Sequence, residues 1–428
     1  MQRTLDEWLD YQLTTHVRGV DLGLARVGEV WRRLGAPRPG RVVVTVAGTN
    51  GKGSTVAFVE AIAAAAGLAC GAYTSPHLLR YNERVRVLGH DASDASLVAA
   101  FERIETARGD LPLTYFEFGT LAALLVFADA GLDVAILEVG LGGRLDAVNL
   151  VDADVAVVTT IALDHQDWLG DSLDGIGREK AGVARAGRVA IVGQIDPPAG
   201  LTGELARIGA LVRRAGIDFR LDVDAQGWHW YDATRRYDLP AAALAAPCQP
   251  ANAAAAIAAL VALGDRLPID AAHIAQGVAS ARVAARLQRF SLGRGELVID
   301  VAHNPQAAGV LADWLAAQGD GRRNVAVFGA LADKDVAGVM APLASRFDAW
   351  RLAGLDRDSP RGLDSGGLRR IYDGVAPQAA VWVHDDVDAA LDAAKPALHE
   401  GARIVAFGSF FVASAALRWA AAHGLHAG

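Results

Sequence analysis

The stretch Val42-Val43-Val44-Thr45-Val46-Ala47-Gly48-Thr49-Asn50-Gly51-Lys52-Gly53-Ser54-Thr55 constrains the fold more than any other part of the chain. Its β-branched start predicts a strand buried on both faces of a sheet. The run breaks into a glycine-rich loop with one lysine and two hydroxyls, and Val56 to Ala66 then reads as a helix. Glycines let the backbone curl so that several N–H groups face one anion, and the helix adds its positive N-terminal end. In such a loop Lys52 neutralises β- and γ-phosphates, and Ser54 or Thr55 holds Mg²⁺. The spacing departs from the usual pattern twice: Val46 stands where the first glycine belongs, and Gly53 is inserted between lysine and serine. A glycine-rich turn without a ligand is the plain alternative, but strand, loop, lysine and helix occur in the order that phosphate binding needs. The stretch predicts an unusual P-loop that binds ATP or GTP.

The chain has 428 residues, enough for two or three domains, and its 52% hydrophobic and 21% charged residues are those of an ordinary globular enzyme. No run of about 18 apolar residues occurs, and Met1-Gln2-Arg3-Thr4-Leu5-Asp6-Glu7-Trp8 lacks the apolar core of a signal peptide. A cytoplasmic protein that spans no membrane is expected. Cys70 and Cys248 are too few for a disulfide framework or a metal cluster and read as inert. The net charge of −8 argues against a general nucleic-acid surface, so an anionic substrate has to be met by local basic residues.

Helical periodicity over residues 4–34 predicts a short helical preface. Residues 68–73 read as a strand, and residues 74–85, polar and proline-marked, as a surface loop. Helices are expected near 95–108, 116–130 and 173–184, strands at 133–138, 154–159 and 188–192, and a hairpin around Gln226-Gly227. From residue 297 onward, strands at 297–301, 324–328, 350–352 and 404–407 alternate with helices at 306–317, 336–345, 387–395 and 412–421. The pattern predicts an α/β fold. A P-loop domain on a mostly parallel sheet (residues 1–283) precedes a smaller, doubly wound α/β domain (284–428).

Open parallel sheets bind ligands beyond the carboxyl ends of their strands, and these ends are polar here. Ser75 and His77 follow one strand. Glu138 ends another where a metal-binding acid is needed, which favours it as a Mg²⁺ ligand. Asp164-His165 follows a third, but a lone histidine after a strand is more often a hydrogen-bonded residue than a ligand, because Mg²⁺ prefers oxygen. Adjacent opposite charges make Arg178-Glu179-Lys180 a solvated helix face on spacing alone. In the second domain, Asp300-Val301-Ala302-His303-Asn304-Pro305, Gly329 to Asp335 and Gly408-Ser409-Phe410 fall at strand ends.

Taken together these segments resemble the folate branch of the Mur ligase superfamily, the dihydrofolate and folylpolyglutamate synthases. The markers are Gly48 to Ser54, Thr74-Ser75-Pro76-His77-Leu78, Tyr115-Phe116-Glu117-Phe118-Gly119-Thr120, Glu138 to Asp146, Asp164-His165, Arg178 to Gly182, Asp300 to Pro305 and Gly408-Ser409-Phe410. The resemblance implies a Mur-ligase-type P-loop ATPase domain followed by a glutamate-ligase domain. It implies ATP held by Gly48, Thr49, Asn50, Gly51, Lys52, Gly53, Ser54 and Thr55 together with Asn252, Arg286, Asp300 and His303 from across an interdomain cleft. It makes Ser75, Glu138 and His165 ligands of Mg²⁺, and Lys180 a carbamylated lysine holding a second Mg²⁺. It gives pterin binding to Thr114, Tyr115, Phe116 and Glu117 and to Gly143, Arg144, Leu145 and Asp146. Lys52, Lys180 and His165 would be the catalytic set. The implied enzyme is a monomer joining L-glutamate to dihydropteroate or to the γ-carboxyl of reduced folates through an acyl phosphate. One departure stands out: the family reads Pro-Gly-Arg-Phe-Gln at its hinge, where this chain has Ala284-Ala285-Arg286-Leu287-Gln288.

Two other readings compete. A Mur ligase of peptidoglycan precursors carries a further domain before its P-loop, and only 47 residues precede Gly48 here. A regulatory P-loop NTPase needs a guanine-specifying Asn-Lys-x-Asp, and Ala332-Asp333-Lys334-Asp335 lacks the asparagine.

Overall fold

Val42–Ala47 forms β1, a strand with every residue buried. The computed structural model describes residues 3–16, 19–224, 227–375 and 379–425. Around β1 lie β2 (Cys70–Tyr73), β3 (Val85–Val87), β4 (His90–Asp91), β5 (Val134–Glu138), β6 (Val155–Val158), β7 (Val189–Val192) and β8 (Leu211–Arg214). The sheet order is β4-β3-β2-β5-β1-β6-β7-β8. Pairing is parallel from β2 through to β8, and only the β3 and β4 edge runs antiparallel. β2, β5 and β6 are also buried throughout, as strands covered by helices on both faces must be.

The helical preface consists of two helices, Leu5–Thr14 and Ala25–Arg33. Thr4 caps the first in a reciprocal box with Glu7. Trp8 then packs its ring 6.0 Å from Phe101 on the Asp94–Arg108 helix. β9 (Phe219–Asp224) and β10 (Gly227–Asp232) pair as the expected hairpin, although Gln226 lies outside the described residues. β11 (Arg236–Leu239) completes a small antiparallel sheet, with Phe219, Trp230 and Tyr237 stacked across it.

The chain divides into two compact units. The first comprises Met1–Ala243 and Gln249–Arg282; the second comprises Leu244–Cys248 and Val283–Gly428. The second unit is built on β12 (Gln288–Leu292), β13 (Gly295–Ile299), β14 (Asn324–Phe328), β15 (Ala349–Ala353), β16 (Ala380–His384) and β17 (Arg403–Phe407). Their order is β12-β13-β17-β14-β15-β16, and only β12 is antiparallel. Three elements escape the sequence pattern. β12 and β16 are edge strands that expose part of their residues, and the Ser365–Val375 helix buries only Gly367, Leu368 and Tyr372. The helix expected at 336–345 stops at Met340, because Pro342 has no N–H to continue it.

One polar cluster ties the amino end of the first sheet together. The buried Asp154 carboxylate, just ahead of β6, accepts from the Val43 N–H at 2.9 Å, Arg38 at 2.6 Å, Arg188 at 3.1 Å and Arg266 at 3.0 Å. Burial alone would raise this carboxyl, but Arg266, the Val43 N–H and Arg38 outweigh it and hold it below its usual value. Stability from this group is present above the unfolded carboxyl's pKa and is lost as pH falls through the lower folded value. Asp154→Asn is expected to cost about 2 kcal/mol in urea unfolding at pH 7, the loss of charged hydrogen bonds to arginines that can return to water. That difference should shrink as the pH drops below about 4.

Candidate active site

β1 ends at Ala47, and Gly48 to Gly51 curl into the Lys52–Ala65 helix. The end of β6 holds this curl. Thr49 N donates to Thr160 O at 2.7 Å, and Asn50 O accepts from the hydroxyls of Thr159 at 2.6 Å and Thr160 at 3.1 Å. Gly51 sits at φ +88°, and a Cβ there would run into Asn252 Oδ1. Asn252 lies on the Gln249–Leu263 helix and is fixed by donating to Gln249 Oε1 at 3.1 Å. Glycine at 51 is therefore required by both conformation and space. Lys52 folds its Nζ onto Gly48 O at 3.0 Å and Thr49 O at 3.1 Å.

Lys180 reaches the same Gly48 carbonyl, at 2.9 Å, from the Leu173–Ala181 helix. Burial, and then the charge of Lys52, push its ammonium down to about 7. Spacing alone gave a solvated face for Arg178-Glu179-Lys180, and this is corrected. Glu179 turns outward to Arg144 at 2.7 Å, while Lys180 turns inward. The side of the helix, invisible in three adjacent charged letters, decides which of them is buried.

Glu138, buried at the carboxyl end of β5, accepts from Ser75 N at 3.3 Å. A Cβ on Gly53 would point at this carboxylate, 3.7 Å from Oε2. Thr55 is fully buried and its hydroxyl has no hydrogen-bond partner. A buried carboxylate, the Ser75 turn and an orphaned hydroxyl beside a phosphate loop are oxygen donors suited to a hard divalent cation. Among the described residues no group of three or more His, Cys, Asp or Glu side chains is gathered as a metal site. His165 is at φ +52°, begins the short Gln166–Leu169 helix, and keeps its ring partly exposed next to Asp164.

The segment after Ser75 is more buried than a surface loop. Glu83 accepts from Leu78 N, Leu79 N and Arg80 N, each at 2.8 Å. Tyr81, Asn82 and Arg84 are buried, Arg84 donates to His77 Nδ1 at 2.9 Å, and its guanidinium lies over the Tyr81 and Tyr115 rings. The polar letters that suggested a loop are here satisfied internally.

Thr114 caps the Tyr115–Ala130 helix, sharing a capping box with Glu117, whose carboxylate also meets Arg26 at 3.0 Å. Thr114, Phe116 and Glu117 line a cavity of about 50 Å³ with Leu145, Asp146, Ala147 and residues 19–23. Burial raises the Asp146 carboxyl to about 6 against hydrogen bonds from Leu141 N and Val148 N. Gly143 packs on the Glu179–Lys180 backbone, too close for a side chain. Of the expected pterin residues, Thr114, Phe116, Glu117, Leu145 and Asp146 line this cavity, and Tyr115, Gly143 and Arg144 do not. The cavity also adds residues 19–23, which carry no chemical signal beyond an acid between glycines.

In the second unit Asp300 accepts from Leu287 N at 2.9 Å and Ala302 N at 2.8 Å. Burial raises its carboxyl, partly offset by Arg286. The Arg286 guanidinium lies 5.7 Å from the Phe410 ring centre, and the His303 ring lies 6.1 Å from that of Phe410. Ala285 and Leu287, on either side of Arg286, hold φ of +53° and +48°, a conformation that disfavours residues other than glycine.

The Mur ligase middle domain family matches residues 46–200, and the Mur ligase glutamate ligase domain family matches residues 285–410. The chain is 47% identical over 379 residues to the dihydrofolate synthase/folylpolyglutamate synthase of Escherichia coli, covering 87% of this chain and 88% of that one. The chain belongs to the dihydrofolate synthase/folylpolyglutamate synthase family. It is 34% identical over 378 residues to the synthase of the same name from Mycobacterium tuberculosis, covering 82% of this chain and 77% of that one. A solved structure of E. coli FolC with DHPP and ADP superposes with a TM-score of 0.93 at 43% identity over 99% of both chains. Another family member, solved with Mn, AMPPNP and L-glutamate, gives 0.89 at 44% identity over 98% of both. This chain is accordingly a ligase, and in its P-loop Gly51 has no room for a side chain against Asn252. Gly51→Ala is expected to remove measurable ADP binding in calorimetry, while Gly53→Ala, whose Cβ meets only ordinary contacts, leaves binding detectable.

Proposed function

We propose that this chain uses ATP to convert the carboxylate of dihydropteroate, or the γ-carboxyl of a reduced folate, into an acyl phosphate that the amine of L-glutamate then attacks. A carboxylate is a poor electrophile, so phosphorylation has to precede amide formation. The observation that carries the proposal is the convergence of Lys52 and Lys180 on the Gly48 carbonyl, within a family of ATP-dependent ligases. Phosphoryl transfer depends on positioning and charge neutralisation. The amides of Gly48 to Ser54 and the Lys52 ammonium would orient the β- and γ-phosphates, and Thr55 would place a hydroxyl beside them. Mg²⁺ fits the donors Ser75, Glu138 and Thr55, with His165 on the adjoining loop, and supplies neutralisation of phosphate charge. E. coli FolC bound to DHPP and ADP, and a relative bound to Mn, AMPPNP and L-glutamate, support the same substrates and a divalent metal here.

Asn252, Arg286, Asp300 and His303 complete the proposed ATP set. Thr114 to Glu117 with Gly143 to Asp146 form the proposed pterin set, in which Glu117 and Arg144 act through the caps and pairs they already make. An amine near neutrality at Lys180 can add CO₂ without first losing a proton at high pH, which supports a carbamate at that position. The first unit then serves ATP and pterin, and the second serves glutamate and adds Arg286, Asp300 and His303 to the ATP set. The enzyme's expected location is the cytoplasm and its expected state a monomer. Among the described residues no helix is long and apolar enough to cross a membrane.

Phosphate release from ATP, measured with Mg²⁺ and L-glutamate and with dihydropteroate or tetrahydrofolate supplied separately, should depend on glutamate with at least one of them. Absence of glutamate-dependent turnover with both would overturn the proposal. Lys52→Ala should abolish this release, and wild-type rates in that variant would remove the P-loop from the reaction. Lys180→Ala should lose most activity and regain part of it with added acetate or formate, and wild-type activity should rise with pH through about 7 as the amine loses its proton.

A further inference from the structure

Arg86, on β3, makes a fork-to-fork ion pair with Glu60 on the P-loop helix. Its Nη2 lies 2.7 Å from Glu60 Oε2, and its Nε lies 3.1 and 3.2 Å from the two carboxylate oxygens. Both side chains are largely buried, with 24% and 13% exposure. A brace between helix and strand needs nothing more. Arg86 nonetheless aims its remaining nitrogen elsewhere: Nη1 donates to Thr74 Oγ1 at 3.3 Å and to Glu83 O at 3.3 Å. Thr74 is the residue before Ser75, and the Ser75 N–H is the group that meets Glu138 Oε2. The planar guanidinium therefore joins the helix that begins at Lys52 to the turn that carries Ser75. Lysine, with one nitrogen, cannot span both.

We propose that Arg86, anchored by Glu60, is a positioning residue that sets the Ser75 turn against Glu138 and so fixes the affinity of the divalent metal site. The proposal rests on the assignment of Ser75 and Glu138 to that site. Partners one shell out from a metal typically change its affinity about 10- to 100-fold when removed. A residue that only braced the fold would change thermal stability and leave metal affinity alone.

The test uses Mn²⁺ as the probe, with free ion read by electron paramagnetic resonance in the presence of ADP, and thermal midpoints from the same preparations. In Glu60→Gln/Arg86→Gln both charges are removed, so no buried charge is left unpaired. Arg86→Lys keeps the pair with Glu60 but not the reach to Thr74, and Thr74→Val removes the acceptor without touching any charge. Mn²⁺ affinity is expected to fall about 10-fold in the double variant and by a smaller factor in the other two. ADP affinity without metal should stay within about twofold of wild type in all three. Thermal midpoints that fall while Mn²⁺ affinity holds would overturn the proposal, and Thr74→Val decides the point even if the double variant does not fold. Wild-type protein that binds no Mn²⁺, or binds it equally well as Glu138→Ala, would overturn the metal assignment first and the proposal with it.

Discussion

The burial of β1 is the constraint from which the active site follows. With β5 hydrogen-bonded on one side, β6 on the other and helices over both faces, the strand has no edge or face at which polar chemistry can occur. Its carboxyl end is the one place where backbone groups leave the ladder. There the neighbours supply what the ladder no longer does: Thr159 and Thr160 from β6, Glu138 from β5, and Ser75 from the turn after β2. The Gly48 carbonyl is the hub, taking both lysines. Two ammonium groups on one oxygen are mutually unfavourable, and burial together with the Lys52 charge loosens the proton of Lys180.

Much of this was legible in the letters because parallel strands buried on both faces write themselves as short apolar runs. β1, β5, β6, β13, β14 and β17 were readable for that reason, and the polar residues after them marked the site. Edge elements were not: β12 and β16 mix polar and apolar residues because only part of each is covered. Asn252 and Lys180 came from resemblance rather than from pattern, since nothing in an alanine-rich helix or a charged triplet tells which side chain is turned inward. The segment after Ser75 misled for the opposite reason. Glu83, Asn82 and Arg84 look solvent-loving, yet Glu83 accepts from the Leu78 N–H, Asn82 donates to Asp94 and Arg84 donates to His77, so their polar groups are satisfied away from water.

The second unit shows a different economy. Its departure from the family hinge replaces the usual glycine with Ala285, which still takes the left-handed conformation, as does Leu287. Asp300 grips Leu287 N, and Gln288 grips Ala285 N at 3.0 Å, so the backbone around Arg286 is held by side chains where a glycine would have allowed it freely. The arginine is thus presented by a stiffened turn.

The contact between Gly51 and Asn252 also bears on the order in which the molecule is made. The P-loop is encoded near the start of the chain, yet the residue that walls in Gly51 arrives with the Gln249–Leu263 helix, and Gly277 of the following helix packs against Ile62 on the P-loop helix itself. A nascent chain that has only its first strands and the loop therefore possesses the nucleotide motif without the wall behind it. Long-range closure of this kind is slow to form. It delays a fully packed P-loop until nearly all of the first unit has been synthesised.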